Sequence, residues 1–198
     1  MEKTEKLVYK PGVTLEGIYK AYSPRFGFLI TDDDHEDVYI GEDNHLNAVN
    51  NDKVEVKTIK GETGRHNTEG RITRVIERAN DTFVCTYEML KDGGEAVPID
   101  EKVDMVIEIP EGQEMEATTG ARVIVEVTEW PGKWTDAKGH VTEVIGYEGD
   151  KGLDIDIIIA QHRLPHVFSD ELMKEADALP REVVPENGVA DFRDLPIV

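Results

Sequence analysis

The sequence predicts a mainly β chain: two tandem five-stranded Greek-key barrels, followed by a short helix and an extended C-terminal connector. Three observations carry this. Short strand-like runs dominate residues 13–160, turn residues separate them, and the order of elements starts again after residue 78. The 198 residues, 39% of them hydrophobic, have room for two small cores.

In the first copy, residues 13–22 (VTLEGIYKAY) and 26–31 (FGFLIT) read as strands joined by Ser23-Pro24-Arg25. A polar turn, Asp32-Asp33-Asp34-His35-Glu36, leads into a third strand at residues 37–40. Residues 53–59 (KVEVKTI) alternate apolar with polar at period two, the mark of a half-buried strand. A Gly61-Glu62-Thr63-Gly64 loop precedes the fifth strand at residues 68–76.

The second copy repeats the order. Residues 82–89 (TFVCTYEM) form a strand, and Lys91-Asp92-Gly93-Gly94 a turn. Strands follow at residues 95–99, 104–109, 122–127 and 140–146. Beyond them Ser169 is placed as a helix N-cap, with Asp170 and Glu171 in the first turn where the helix dipole favours acids. Phe168 and Met173 are spaced to staple that start, and the helix should stop near Leu179, before Pro180. The expected domains are an extension at 1–12, barrels at 13–78 and 79–160, and a helix with linker at 161–198.

No apolar run approaches the ~20 residues that span a bilayer, and the first six residues lack a signal-peptide apolar segment. The single cysteine, Cys85, forms no intrachain disulfide, which fits a reducing cytoplasm. The net charge of −20 counts against a general nucleic-acid binder, but it is unevenly spread. Residues 1–12 carry +1, residues 13–78 carry −4, and residues 79–198 carry −17. A polyanion therefore has only the first half to bind.

Residues two apart on a strand share a face, so Phe26 and Phe28 stand side by side, and Tyr39 on the next strand can join them. Periodicity alone leaves two readings. These rings are core, or they form an outer face on which unpaired bases stack. In the second reading Lys20, Arg25, Lys53 and Arg71 are the cations near enough to meet phosphates.

Residues 17–22 (GIYKAY) followed by 25–30 (RFGFLI) resemble the opening of a cold-shock domain, an OB fold in which G-x-V-K-W-F leads to the RNP1 run K-G-F-G-F-I. Residues 37–40 (DVYI) resemble RNP2 of that domain. The resemblance implies that Phe26, Phe28 and Tyr39 stack on bases and that Lys20 is the first-strand lysine. Ala21 stands in place of the usual Trp, Arg25 of the first RNP1 Gly, and Gly41 of the RNP2 His, which implies a modest binder.

The rest of the chain narrows the family. Residues 48–54 (AVNNDKV) resemble its A-x-x-G-D-x-V turn, with Asn51 in place of Gly. Residues 69–78 (EGRITRVIER) are similar to the E-G-x-V-x-x-I-L-E-R segment that joins the two cold-shock domains of RNase R, and residues 141–146 (VTEVIG) to its later strand. Residues 158–175 resemble I-x-x-x-L-P-x-x-F-P-x-x-V-x-x-E-A, and 191–198 the run leading to the catalytic domain of RNase R/ribonuclease II exoribonucleases.

That resemblance implies a module that gathers single-stranded RNA and feeds it to the protein's own catalytic domain, a magnesium-dependent 3′→5′ exoribonuclease. No catalytic or metal residue is expected in this chain, and no cofactor of its own. Asp32-Asp33-Asp34-x-Glu36 fails the calcium-loop template, because position six is Asp37 and position twelve Asp43. His162 and His166 are separated by Pro165, against a helical metal pair, and Cys85 reads as buried filler. Trp130 and Trp134 can cap the second barrel, stack a base or, as the preferred reading, pack between the domains. A monomer without membrane contact is the working expectation. The rival reading is a stand-alone OB-fold protein-interaction or regulatory module with little RNA affinity. A translation-type OB factor leaves the residues after Leu164 unexplained.

Overall fold

The computed structural model describes residues 7–31, 35–59, 68–132, 134–165 and 168–179. The Asp32–Asp34 part of the polar turn, the Gly61–Gly64 loop, His166 and the connector from Pro180 to Val198 lie outside these residues. Contacts divide the chain into residues 1–162, which hold both barrels, and residues 163–198.

The first barrel is built from β1 (Thr14–Ser23), β2 (Phe26–Ile30), β3 (Val38–Gly41), β4 (Lys53–Ile59) and β5 (Glu69–Glu77), closed in the order β1-β2-β3-β5-β4. The second uses β6 (Thr82–Leu90), β7 (Gly93–Pro98), β8 (Ile107–Ile109), β9 (Arg122–Glu129) and β10 (Ala137–Gly146), closed as β10-β8-β7-β6-β9. Read from the first strand of each, the two orders are the same Greek key. In each the third and fifth strands run parallel and all other pairs antiparallel.

Alternation along the strands fills the cores. Leu29, Val38, Ile40, Val54 and Val56 are fully buried in the first, and Cys85, Ile107, Ile109, Val123 and Val125 in the second. The copies share a further device. The ring of Tyr19 on β1 occupies the space a side chain at Gly27 on β2 would need, a Cβ there falling 2.5 Å from a ring carbon. Tyr87 on β6 covers Gly94 on β7 in the same way. A glycine is required at both positions because the tyrosine has replaced its side chain in the core.

Asn51 adopts φ 75°, the left-handed angle expected where the family turn carries Gly. β8 is shorter than the predicted 104–109 run, since β7 supplies ladder partners only to residues 107–109. β7 starts at Gly93, so the turn before it narrows to Lys91 and Asp92.

Two helices, rather than one, follow the barrels: α1 (Leu153–Gln161) and α2 (Asp170–Ala178). The sequence LDIDIIIA disguised α1, because its first residues alternate like a strand and its N-cap is Gly152 with no capping side chain. α2 has the expected cap, with Ser169 Oγ accepting from the Leu172 amide at 3.3 Å. Among the described residues no helix is long and apolar enough to cross a membrane.

Candidate nucleic-acid interface

On β2 Gly27 and Leu29 face inward, which turns Phe26 and Phe28 out of the barrel; on β3 Val38 and Ile40 do the same for Tyr39. The core is complete without them, so these aromatics lie on the outer face and not in the core. Phe28 stands directly opposite Lys20 on β1 and Tyr39 on β3. The Phe26 and Tyr39 rings lie 5.9 Å apart at 29°, and Phe28 meets Tyr39 edge-on at 5.7 Å.

A fourth ring belongs to this face. Tyr22 lies 6.2 Å from Phe26 at 10° and 5.4 Å from Phe28 at 80°, and 63% of it is exposed. Pairing passes from Ala21–Gly27 to Ser23–Phe26, so Tyr22 is the extra residue of a β-bulge. Bulges re-aim side chains. Ala21, where the family carries Trp, points into the core at 6% exposure, so Tyr22 supplies an aromatic group next to the lost indole. The parity of Tyr22 with Lys20 was the sequence signal for it.

The four predicted cations are not equally placed. Lys20 is exposed beside Phe28, its ammonium donating to Asn51 Oδ1. Lys53 stands opposite Ile18, on the strand flanking β1. Arg25 is exposed in the turn between Tyr22 and Phe26. Arg71 lies on the far side of β3, on β5, its Nε donating to Asn44 Oδ1 at 2.8 Å.

The second barrel carries the same row with different side chains. With Tyr87 over Gly94 matched to Tyr19 over Gly27, Lys20, Phe28 and Tyr39 correspond to Glu88, Glu95 and Glu108. Those glutamates are directly opposite one another across β6, β7 and β8, and all are exposed. Like charges so placed repel each other, and they repel an approaching polyanion. Among the described residues no group of three or more His, Cys, Asp or Glu is placed to hold a metal ion.

The barrels are joined through polar contacts that the sequence did not reveal. Asp52 is fully buried and accepts from Arg78 Nη1 at 2.7 Å and from the amides of Val49 and Ala79 at 3.0 Å. The Arg78 guanidinium lies 3.5 Å from the Trp130 ring centroid, and Trp130 packs edge-on against Phe83. Asn47 Nδ2 donates to the Pro131 carbonyl at 2.8 Å. Trp130 thus packs between the domains, whereas Trp134 is 87% exposed.

Between the barrels lies a cleft of about 420 Å3, walled by Pro24 and Leu46 from the first and Val103 and Met105 from the second. His45 and Lys102 also line it. Burial lowers the His45 pKa, against the opposing pull of Asp104, Glu42 and Asp43, which favours the neutral imidazole.

Residues 17–75 match the family model described as Ribonuclease B OB domain, and residues 96–169 the one described as Cold shock domain. The acetazolamide conferring resistance protein zam of Synechocystis is 31% identical over 195 residues, covering 93% of this chain and 25% of its own. Ribonuclease R of Acidithiobacillus ferrooxidans is 30% identical over 189 residues, covering 93% of this chain and 43% of its own. The structure of Mycoplasma genitalium RNase R in complex with ribose methylated single-stranded RNA superposes with a TM-score of 0.74 at 16% identity, over 85% of this chain and 27% of that one. The chain thus spans less than half the length of these relatives. Family models on both barrels, with relatives aligned along nearly the whole sequence, place the chain in the RNase R/ribonuclease II family, as its tandem cold-shock (OB-fold) region.

Proposed function

We propose that this chain binds single-stranded RNA on the outer face of its first barrel and, in the family's longer proteins, guides it to a catalytic domain that degrades RNA from the 3′ end. The observation that carries this is the cluster of Tyr22, Phe26, Phe28 and Tyr39 outside a core that is complete without them. Partly exposed rings offer π-faces that any unpaired base can stack on, worth ~1–3 kcal/mol per base. Lys20, Arg25, Lys53 and Arg71 would meet phosphates around them. The single-stranded RNA held by the M. genitalium relative supports the same reading. The glutamate row disfavours RNA on the second barrel, which leaves that barrel a packing partner. The free, buried thiol of Cys85 suits a reducing cytoplasm, and we take the working state to be a monomer.

A fluorescence titration with oligo(U) and oligo(A) tests the reading. Binding should weaken with salt, with a log–log slope of about −3 if all four cations touch phosphates. Phe28→Ala should cost about tenfold in affinity without altering the circular dichroism, because Phe28 is outside the core. Absence of binding at low salt would instead favour the protein-interaction module.

Magnesium belongs, on this reading, to the catalytic domain of the longer family proteins and not to these barrels. The purified chain should therefore leave a labelled oligoribonucleotide intact in magnesium buffer. Magnesium-dependent shortening that co-purifies with the chain to homogeneity would defeat the assignment.

A further inference from the structure

The aromatic face and the inter-barrel cleft meet at one turn. Tyr22 and Phe26 hold the near end of the face, and Pro24 between them is a wall of the cleft. A strand leaving the face past this turn has two ways on. The outer surface of the second barrel presents Glu88, Glu95 and Glu108. The cleft offers apolar walls on both sides and an exposed cation, Lys102, with Asp104 also in its lining.

We propose that the inter-barrel cleft is a nucleotide subsite, in which the base following those stacked on the aromatic face inserts between Pro24 and Leu46 on one side and Val103 and Met105 on the other, with its phosphate at Lys102. This rests on the proposed RNA-binding function and extends it to a second, enclosed position. The volume of about 420 Å3 falls within the roughly 300–1,000 Å3 of small-ligand sites. The apolar walls of the cleft alternate with Ser23, His45, Asn47, Lys102 and Asp104, and a mainly apolar lining with a few placed polar groups is usual for such sites. His45 supplies the polar edge. As a neutral imidazole it offers one donor and one acceptor, which suits the hydrogen-bonding rim of a base. The cleft also has a fixed shape to offer, since Arg78 on Trp130 and Asn47 on Pro131 hold its two sides. A single strand whose bases can splay apart fits this arrangement, whereas a duplex would bring its stacked bases out of reach.

The test is amide-resolved NMR of the whole chain, titrated separately with oligo(U) of about three and about six nucleotides, the shorter one sized to cover only the aromatic face. The trimer should move the amides of Phe26, Phe28 and Tyr39. The hexamer should move these and also Leu46, Val103 and Gly132. A hexamer that saturates the aromatic face and leaves the cleft amides still would overturn the subsite and leave RNA binding standing. If neither oligonucleotide moves either set, the RNA-binding reading falls and the subsite falls with it.

Two variants add an affinity readout. Val103→Trp, which fills the cleft, should weaken hexamer binding about tenfold, the scale of one stacked base, and leave the trimer unchanged. Lys102→Glu, at an exposed side chain, should weaken the hexamer several-fold with the same selectivity and does not depend on repacking. Equal losses for trimer and hexamer in both variants, or none in either, would overturn the subsite.

Discussion

Replacing Arg78 with Met is expected to destabilise the protein by about 3 kcal/mol or more, read from the urea midpoint at constant m-value. The reason is what the substitution leaves behind. Asp52 has no exposed surface, and without Arg78 its carboxylate keeps only the amides of Val49 and Ala79. Breaking a buried pair by removing one partner costs ~3–5 kcal/mol, because the remaining charge is uncompensated. Arg78 does more than neutralise Asp52. Its Nη1 and Nη2 also donate to the backbone and side-chain oxygens of Asn47, both at 2.7 Å, while its flat face covers Trp130. Lysine has neither the fork nor the plane, so Arg78→Lys should recover little of the loss. Asp52→Asn combined with Arg78→Met should be less destabilising than the two single losses added together. A cost below about 1 kcal/mol for Arg78→Met would mean that the pair is only an exposed ion pair in effect.

Alkali should unfold the protein through two acids held in their neutral forms. Burial pushes the Cys85 thiol up to about 12 from an ordinary value near 9. Burial, with a smaller contribution from Tyr39, pushes the Tyr19 phenol from 10 to about 12. Between these values the unfolded chain releases protons that the folded chain retains. Stability contributed by the two groups is therefore fully present below pH 9 and falls as pH rises towards 12. At 1.36 kcal/mol per unit, Cys85 alone accounts for on the order of 4 kcal/mol across that window. Urea midpoints measured from pH 8 to 11.5 should decline steadily, and Cys85→Ala, though less stable at pH 8, should decline less. The native thiol should also resist a disulfide reagent at pH 8 and react once urea unfolds the chain. A midpoint independent of pH up to 11.5 would contradict this account.

The two barrels were legible because their information is local and periodic: alternation in residues 53–59, turn residues between runs, and one element order used twice. The outward position of Phe26, Phe28 and Tyr39 was only half legible. Period two puts them on one side of their strands, but which side is core follows from the residues between them, Gly27 under Tyr19 above all. Period two puts Tyr22 on the same face as Lys20, but its meeting with Phe26 and Phe28 depends on the bulged pairing of β1 with β2, which leaves no pattern along the sequence. α1 was missed because β-branched residues alternating with acids imitate a strand. The Asp52–Arg78–Trp130 contact joins residues far apart in sequence and left no pattern along it.

The correspondence between Lys20-Phe28-Tyr39 and Glu88-Glu95-Glu108 also bears on stoichiometry. To a backbone comparison the chain contains the same fold twice. To an incoming polyanion the copies are opposites, because the divergence is concentrated in side chains that no fold comparison weighs. On the proposed RNA-binding function, counting one strand of RNA per barrel would thus overstate the capacity of the chain twofold. At saturation one oligonucleotide per polypeptide is expected, with the duplicated fold spent on holding a single strand rather than on gathering two.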